Sequence, residues 1–288
     1  MDILITGILL GATYSLLAMG LTLQYGVARI MNLANGEMLV AGAFGAFWVV
    51  TAQQDNPMLA LLFVVPLAYL LNWAIYRWLL APLVRRAKNR GQLEVDSILA
   101  TFGMSFAFVG LMRWTFGGEF FNYSFLAVPF DIFGSPFGLN RVVAAVAAAV
   151  ICALLYAGLN ATSTGMALRA VAVDPRSASL VAIDVPKMSA LAFALGGAVS
   201  AAGGVILSTF LTMDASIGVL FTMKALIIVI MGGVGDVRGA VLAALILGLA
   251  ETAVASLVDP GLTLAAAYLL FVLVLLFRPQ GLFGKRPT

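Results

Sequence analysis

Long apolar runs separated by short polar interruptions make up most of the chain, at residues 3–25, 38–51, 58–80, 98–116, 142–159, 188–211, 220–231, 240–257 and 262–277. A helix needs about 20 apolar residues to cross the hydrocarbon core of a bilayer. Runs 38–51 and 220–231 fall short, and span only if the Asn- and Gly-rich stretches beside them are also helical or lie inside the membrane. The pattern predicts an all-α, polytopic helical bundle of eight or nine spans with short or discontinuous helices, the second and seventh spans being the open ones. Strands of a membrane barrel would alternate polar and apolar at every second residue, and no run does so.

Composition makes the same case from the solvent side. Of 288 residues, 62% are hydrophobic and 10% charged, with a mean hydropathy of +1.07, whereas a soluble domain is roughly a quarter charged. A soluble chain of this make-up would expose aggregating apolar patches. The expectation is an integral protein of a bacterial-type cytoplasmic (inner) membrane, with residues 1–288 forming a single transmembrane domain.

Charge sets the orientation. Arg85, Arg86, Lys88 and Arg90 share one loop, Arg169, Arg176 and Lys187 a second, and Arg278, Lys285 and Arg286 the tail, so these segments are placed on the cytoplasmic side. Asp55, Glu119, Asp131, Asp214 and Asp259 mostly fall in the opposite loops. With nine spans the N-terminus is outside and the C-terminus inside. The start MDILITG lacks the basic flank of a signal peptide, so the first span is expected to be retained. The pI near 9.2 reflects the cytoplasmic loops, which can meet anionic lipid or a partner, and makes no case for nucleic acid.

Several chemistries are excluded by residue type. The chain has no His and one Cys, Cys152, within a span, which removes His/Cys metal sites, Cys-His nucleophiles and intramolecular disulfides. No phosphate-binding G-x-x-x-x-G-K-[ST] string occurs. No catalytic residue, metal site or cofactor is expected on the chain. Gly196, Ser200 and Gly204 recur four apart, a spacing that lets another helix approach closely.

Two interruptions stand out. IMNLANGEML, residues 30–39, places Asn32, Asn35, Gly36 and Glu37 between apolar runs. Asn35 is positioned to cap a helix starting at Gly36, with Glu37 in the first turn at the positive end of the dipole. The stretch reads either as a capped loop or as a discontinuous helix beside a translocation pathway. A second interruption, IMGGVGDVRGAVLAALILGLAE at 230–251, carries Gly232, Gly233, Gly235 and Asp236 before an apolar helix resumes. Paired breaks in two halves point to a transporter's central route.

Residues 163–188, STGMALRAVAVDPRSASLVAIDVPKM, are too polar to span. Asp174 followed by Pro175 forms a cap and a favoured first helical residue, and Pro186 is expected to stop the helix. A helix of about nine residues fits between them, with Arg176, Leu180 and Ile183 on one face. A helix this short gains stability by docking in a partner's groove or by packing on its own bundle.

The stretches GATYSLLAMGLTLQYGVARIMNLANGEMLVAGAF, RAVAVDPRSASLVAIDV and GGVGDVRGAVLAALILGLAE, in this order, resemble the branched-chain amino acid ABC importer permeases of the LivH type, in the hydrophobic amino acid uptake family. The likeness runs over nearly the whole chain. It implies a permease subunit paired with a second related permease, two cytoplasmic ATPases that bind the ATP, and a binding protein that delivers substrate outside. By that resemblance Arg169, Asp174, Pro175, Arg176, Leu180, Ile183 and Asp184, within a coupling segment at 163–187, contact the ATPases. Substrates of similar permeases include branched-chain amino acids, amides, urea and carboxylates. Many relatives carry NLAHGE where this chain has Asn35, which leaves capping rather than an imidazole role at that position. The alternative class is an ion-coupled secondary transporter using Glu37 and Glu251 as intramembrane acids.

Overall fold

The computed structural model describes residues 2–53, 56–87, 89–132 and 135–284; Asp55, Lys88, Lys285 and Arg286 lie outside the described residues. Helices follow the apolar runs. Helix α1 (Asp2–Leu23) is prolonged by a π-type turn over Gln24–Ala28, and α2 (Asn35–Gln53) follows after a non-helical stretch. Helix α3 (Ala60–Ile75), a second π-type turn (Tyr76–Leu80) and α4 (Ala81–Arg86) run on without interruption. Helix α5 (Arg90–Phe116) leads to a small hairpin, β1 (Pro129–Ile132) and β2 (Ser135–Gly138), antiparallel with Pro129 opposite Gly138. Next come α6 (Leu139–Ala161), α7 (Ser163–Val173), α8 (Pro175–Leu180) and α9 (Val185–Leu207). The chain ends with α10 (Gly218–Gly232), α11 (Val237–Leu257) and α12 (Thr263–Phe277).

Seven helical segments among the described residues are long and apolar enough to cross a membrane, from Asp2–Ala28 to Pro260–Phe277. The other two helices of the bundle are α2 and α10, the short second and seventh runs. Helix α2 reaches 19 residues by drawing in the Asn-Gly stretch. Helix α10 has 15 residues, about 22 Å of rise against a core of about 30 Å, so it ends or begins within the bilayer.

Small residues decide which helix is central. In the α9 span, 89% of the apolar window is buried, against 6% for the last span. The stripe Gly196, Ser200, Gly204 lies against two neighbours. Gly196 meets Gly20 and Gln24 of α1, and a Cβ at Gly204 would fall 1.7 Å from the Leu39 carbonyl oxygen of α2. On the far side of α1, Gly11 and Gly248 bring α1 and α11 backbone to backbone. Lipid tails are as apolar as leucine, so such close dispersion contact, rather than exclusion of water, holds these helices together. Cys152 is buried beside Ser15, with Sγ 3.1 Å from its Oγ, consistent with a packing role.

Candidate translocation and coupling site

The first interruption is a backbone break at membrane depth. Arg29 adopts left-handed geometry (φ 56°) and ends the π-type turn. The freed backbone groups then find side chains from two other helices and from the stretch itself, as burial in a bilayer demands. Thr101 of α5 accepts from Leu33 N at 3.1 Å and lies 3.0 Å from the Met31 carbonyl. Thr222 of α10 accepts from Gly36 N at 2.8 Å. Asn32 accepts from Ala34 N at 3.0 Å and donates to Gln24 Oε1 at 2.9 Å, while Gln24 Nε2 donates to the Phe193 carbonyl of α9.

Asn35 therefore does not cap α2. It is the first residue of that helix, and its Oδ1 accepts from Ser200 Oγ at 2.9 Å. The local cap expected from sequence is displaced because a hydroxyl from another helix, that of Thr222, reaches the Gly36 N–H instead. Gly36 has to be glycine for this approach, since a Cβ there would sit 1.9 Å from the Gly218 carbonyl oxygen.

Glu37 is fully buried. Ser105 Oγ donates to its Oε1 at 3.0 Å, and Oε2 has no hydrogen-bond partner among the described residues. Helix α5 serves as a ruler for its depth: Ser105 lies fifteen residues along from Arg90 and eleven short of Phe116, about 22 Å and 17 Å at about 1.5 Å per residue. The carboxylate is thus near mid-membrane. It sits in the first turn of α2 and against Gly218, the first residue of α10, where a Cβ would lie 2.4 Å from Oε2. Two positive helix ends converge on one acid.

The second interruption lies at the other end of α10. Gly233 (φ 104°) and Gly235 (φ 82°) occupy backbone conformations that side chains disfavour. Asp236 caps α11 by accepting from Gly239 N at 2.9 Å. The end of α10 is closed by the chain's last described stretch, where Leu282 N and Phe283 N donate to the carbonyls of Met231 and Gly232. The second interruption touches the π-type turn that precedes the first, for a Cβ at Gly26 would lie 2.9 Å from Gly235 Cα. A cavity of about 370 Å³ opens at this contact, lined by Gly26, Arg169, Gly235, Asp236 and Arg238 among others. Arg238 Nε donates to Tyr156 OH at its edge.

The eight pathway candidates therefore separate into two levels. Asn32, Asn35, Gly36 and Glu37 form a closed mid-membrane cluster, whereas Gly235 and Asp236 line a cavity together with Arg169 of the 163–187 segment, and Gly232 and Gly233 are covered by the tail.

The segment expected to couple, residues 163–187, is an elbow of two helices rather than one. Thr162 caps α7 through Gly165 N. Asp174 ends α7 and caps α8, accepting from Arg176 N at 2.9 Å and from Ser177 Oγ at 2.5 Å. The Ser177 hydroxyl and then the Arg176 N–H hold the Asp174 carboxyl below its ordinary value. Helix α8 has six residues, not about nine. It ends in a Schellman turn: Ala182 is left-handed (φ 61°), Ile183 N donates to the Ala178 carbonyl and Ala182 N to that of Ser179. That turn rolls Ile183 inward against the cluster containing Leu168 and Ala178, so Ile183 does not share an exposed face with Leu180. Pro186 does not stop this helix; it sits in the first turn of α9, where its missing N–H costs nothing. Asp184 is the cap of α9, accepting from Lys187 N at 3.1 Å. What the elbow shows to solvent is Leu180 (86% exposed), Val173 (80%) and Val181 (68%). The two valines escaped sequence reading because a single straight helix gives no corner on which to expose them.

Glu251 is not a free acid. Lys224 Nζ lies 2.8 Å from its Oε2, Tyr14 OH donates to the same oxygen at 2.9 Å, and Lys224 also reaches the Tyr14 hydroxyl. Lysine and glutamate at 224 and 251 carry no local signal of pairing, being on different helices.

The family described as branched-chain amino acid transport system, permease component, matches residues 3–277. The chain is 28% identical to the high-affinity branched-chain amino acid transport system permease protein LivH of Salmonella typhimurium, over 97% of this chain and 94% of that protein. It is 28% identical to BraD of Pseudomonas aeruginosa, the permease protein of a system of the same description, over 98% and 95%. A probable branched-chain amino acid transport permease protein LivH of Methanocaldococcus jannaschii is 25% identical over 93% and 88%. Among solved structures, PsaBC from Streptococcus pneumoniae in complex with Fab shares the fold with a TM-score of 0.50 at 11% identity, over 98% of this chain and 94% of that one.

Proposed function

Because the chain belongs to the branched-chain amino acid transport permease family, and is a multi-pass membrane protein, we propose that it forms the translocation pathway of an ABC importer for branched-chain or other hydrophobic amino acids. In this reading residues 1–288 act as one permease domain without a catalytic or cofactor site of their own. A second related permease completes the pathway, two cytoplasmic ATPase subunits bind and hydrolyse ATP, and an extracytoplasmic binding protein delivers substrate.

The observation that carries the reading is the elbow of α7 and α8. It leaves Val173, Leu180 and Val181 exposed, on the side that the basic loops assign to the cytoplasm in this reading, and its Arg169 lines a cavity with Gly235 and Asp236. A push on the elbow by a partner is transmitted to the point where α1, α10 and α11 meet. Positive-φ glycines are the positions where such a rotation costs least side-chain strain. The polar cluster around Glu37 is closed in this conformation and would open as α2 and α10 separate.

Reconstitution tests this. Liposomes containing the chain with its companion permease, ATPases and binding protein should accumulate leucine only with ATP inside the nucleotide-accessible face. Uptake by the permeases alone under an imposed proton or sodium gradient would overturn the reading in favour of an ion-coupled carrier; the Oε2 of Glu37, without a hydrogen-bond partner among the described residues, is the feature such a carrier would use.

A further inference from the structure

The strongest unassigned feature lies at the cytoplasmic end of α3. A hollow of about 830 Å³ is lined by Trp73, Arg77, Trp78, Arg85, Arg86 and Lys187, with Asp184 the one acid. One oxygen of that acid is already engaged by the Lys187 N–H. Arg77 is held over the ring of Trp73, 5.3 Å from its centroid, so its charge is fixed at the rim. Four cations facing one acid make the hollow electropositive.

Its depth identifies the ligand chemistry. Arg77 lies twenty residues after Pro57, where the span begins, about 30 Å along the helix and therefore at the level where hydrocarbon gives way to headgroups. Tryptophans and basic side chains at this level are interfacial anchors. Above the hollow, towards mid-membrane, Phe63, Leu67 and Leu70 of α3 are 60–69% exposed, and they lead down to Trp78. An apolar track ending in a cluster of arginines has the polarity of an anionic phospholipid: acyl chains along the track, phosphate in the hollow.

We propose that this hollow is a binding site for one anionic phospholipid of the cytoplasmic leaflet, held by Arg77, Arg85, Arg86 and Lys187. The site lies beside Asp184, where the elbow joins α9, so the lipid braces the hinge on which the elbow turns.

The test is titration of the delipidated, intact transporter complex with phosphatidylglycerol or phosphatidylcholine, with bound lipid counted by native mass spectrometry. Phosphatidylglycerol is expected to bind in preference. Each cation near a membrane surface contributes about a fivefold factor, so Arg77→Gln with Lys187→Gln should weaken phosphatidylglycerol binding by about 25-fold. Arg77→Lys with Lys187→Arg should restore it, which separates lost charge from lost folding, and Arg278→Gln at the end of α12 should change nothing. Millimolar inorganic phosphate should fail to displace the lipid, because it lacks the acyl chains. Equal binding of both lipids, or unchanged affinity in the double variant, overturns the proposal. Displacement by phosphate alone would make the hollow a soluble-anion site, and loss of the ATPases with lipid binding intact would make it a protein interface; either result rejects the lipid.

Discussion

Lys224 and Glu251 give the sharpest test of how this bundle uses its buried charges. Their side chains are 16% and 4% exposed and meet at 2.8 Å. Replacing Lys224 by methionine would leave the Glu251 carboxylate with the Tyr14 hydroxyl at 2.9 Å and with an Oε1 that already lacks a partner among the described residues. Removing one member of a buried pair costs about 3–5 kcal/mol, because the remaining charge stays desolvated. That is a large fraction of the roughly 5–15 kcal/mol by which folded proteins are stable. Removing both charges together, as Lys224→Met with Glu251→Leu, takes away the desolvation penalty along with the attraction, so the double variant should recover most of the loss. Denaturant unfolding in micelles, run as a double-mutant cycle, should return a coupling of several kcal/mol. If Lys224→Met is as stable as the wild type, the pair contributes nothing and the argument fails. If Glu251→Gln keeps full stability and complex assembly yet abolishes uptake, the acid is a transport group and the ion-coupled reading gains ground.

Leu180→Asp should insert and fold normally, since Leu180 is exposed, but should lose its ATPases on purification, because docking would bury a charge; Leu180→Met should stay near neutral, and an aspartate variant with bound ATPases and normal uptake would remove Leu180 from the coupling surface. Glu37→Gln should keep assembly and much of the uptake, since the helix-end contribution is at most about 2 kcal/mol and the Ser105 bond can be retained; complete loss of uptake in an intact complex would reveal an obligatory charge. Gly204→Val should cut the yield of folded protein, by about 1–3 kcal/mol or more of overpacking, because its Cβ would overlap the Leu39 carbonyl; normal yield and melting temperature would show that α2 and α9 are not held at this contact. Single cysteines at Arg86, Arg169 or Leu180 should resist a membrane-impermeant thiol reagent in intact cells while one at Asp259 reacts, and ready labelling of any of the first three would reject the orientation.

The sequence by itself determined the solvent and the apolar helices, and put the spans at eight or nine, because transfer energies and helical period are local properties of consecutive residues. Both short runs, the cap at Asp174 and the close-packing stripe at Gly196, Ser200 and Gly204 were readable in the same way. The tertiary structure decided the partners. Gly36 is capped by Thr222, 186 residues away, Ser105 bonds Glu37 across 68, and Ser200 bonds Asn35 across 165. None of these leaves a mark at short range, and the first and last rest on glycines, Gly36 against Gly218 and Gly204 against Leu39, that let α2 come close to α10 and α9. The same holds for the Glu251 pair and for Ile183, whose face was fixed by a left-handed Ala182 that no propensity would favour. In a bilayer an unpaired polar group has no water to fall back on, so the fold selects whichever partner is within reach, and reach is a property of the packed bundle.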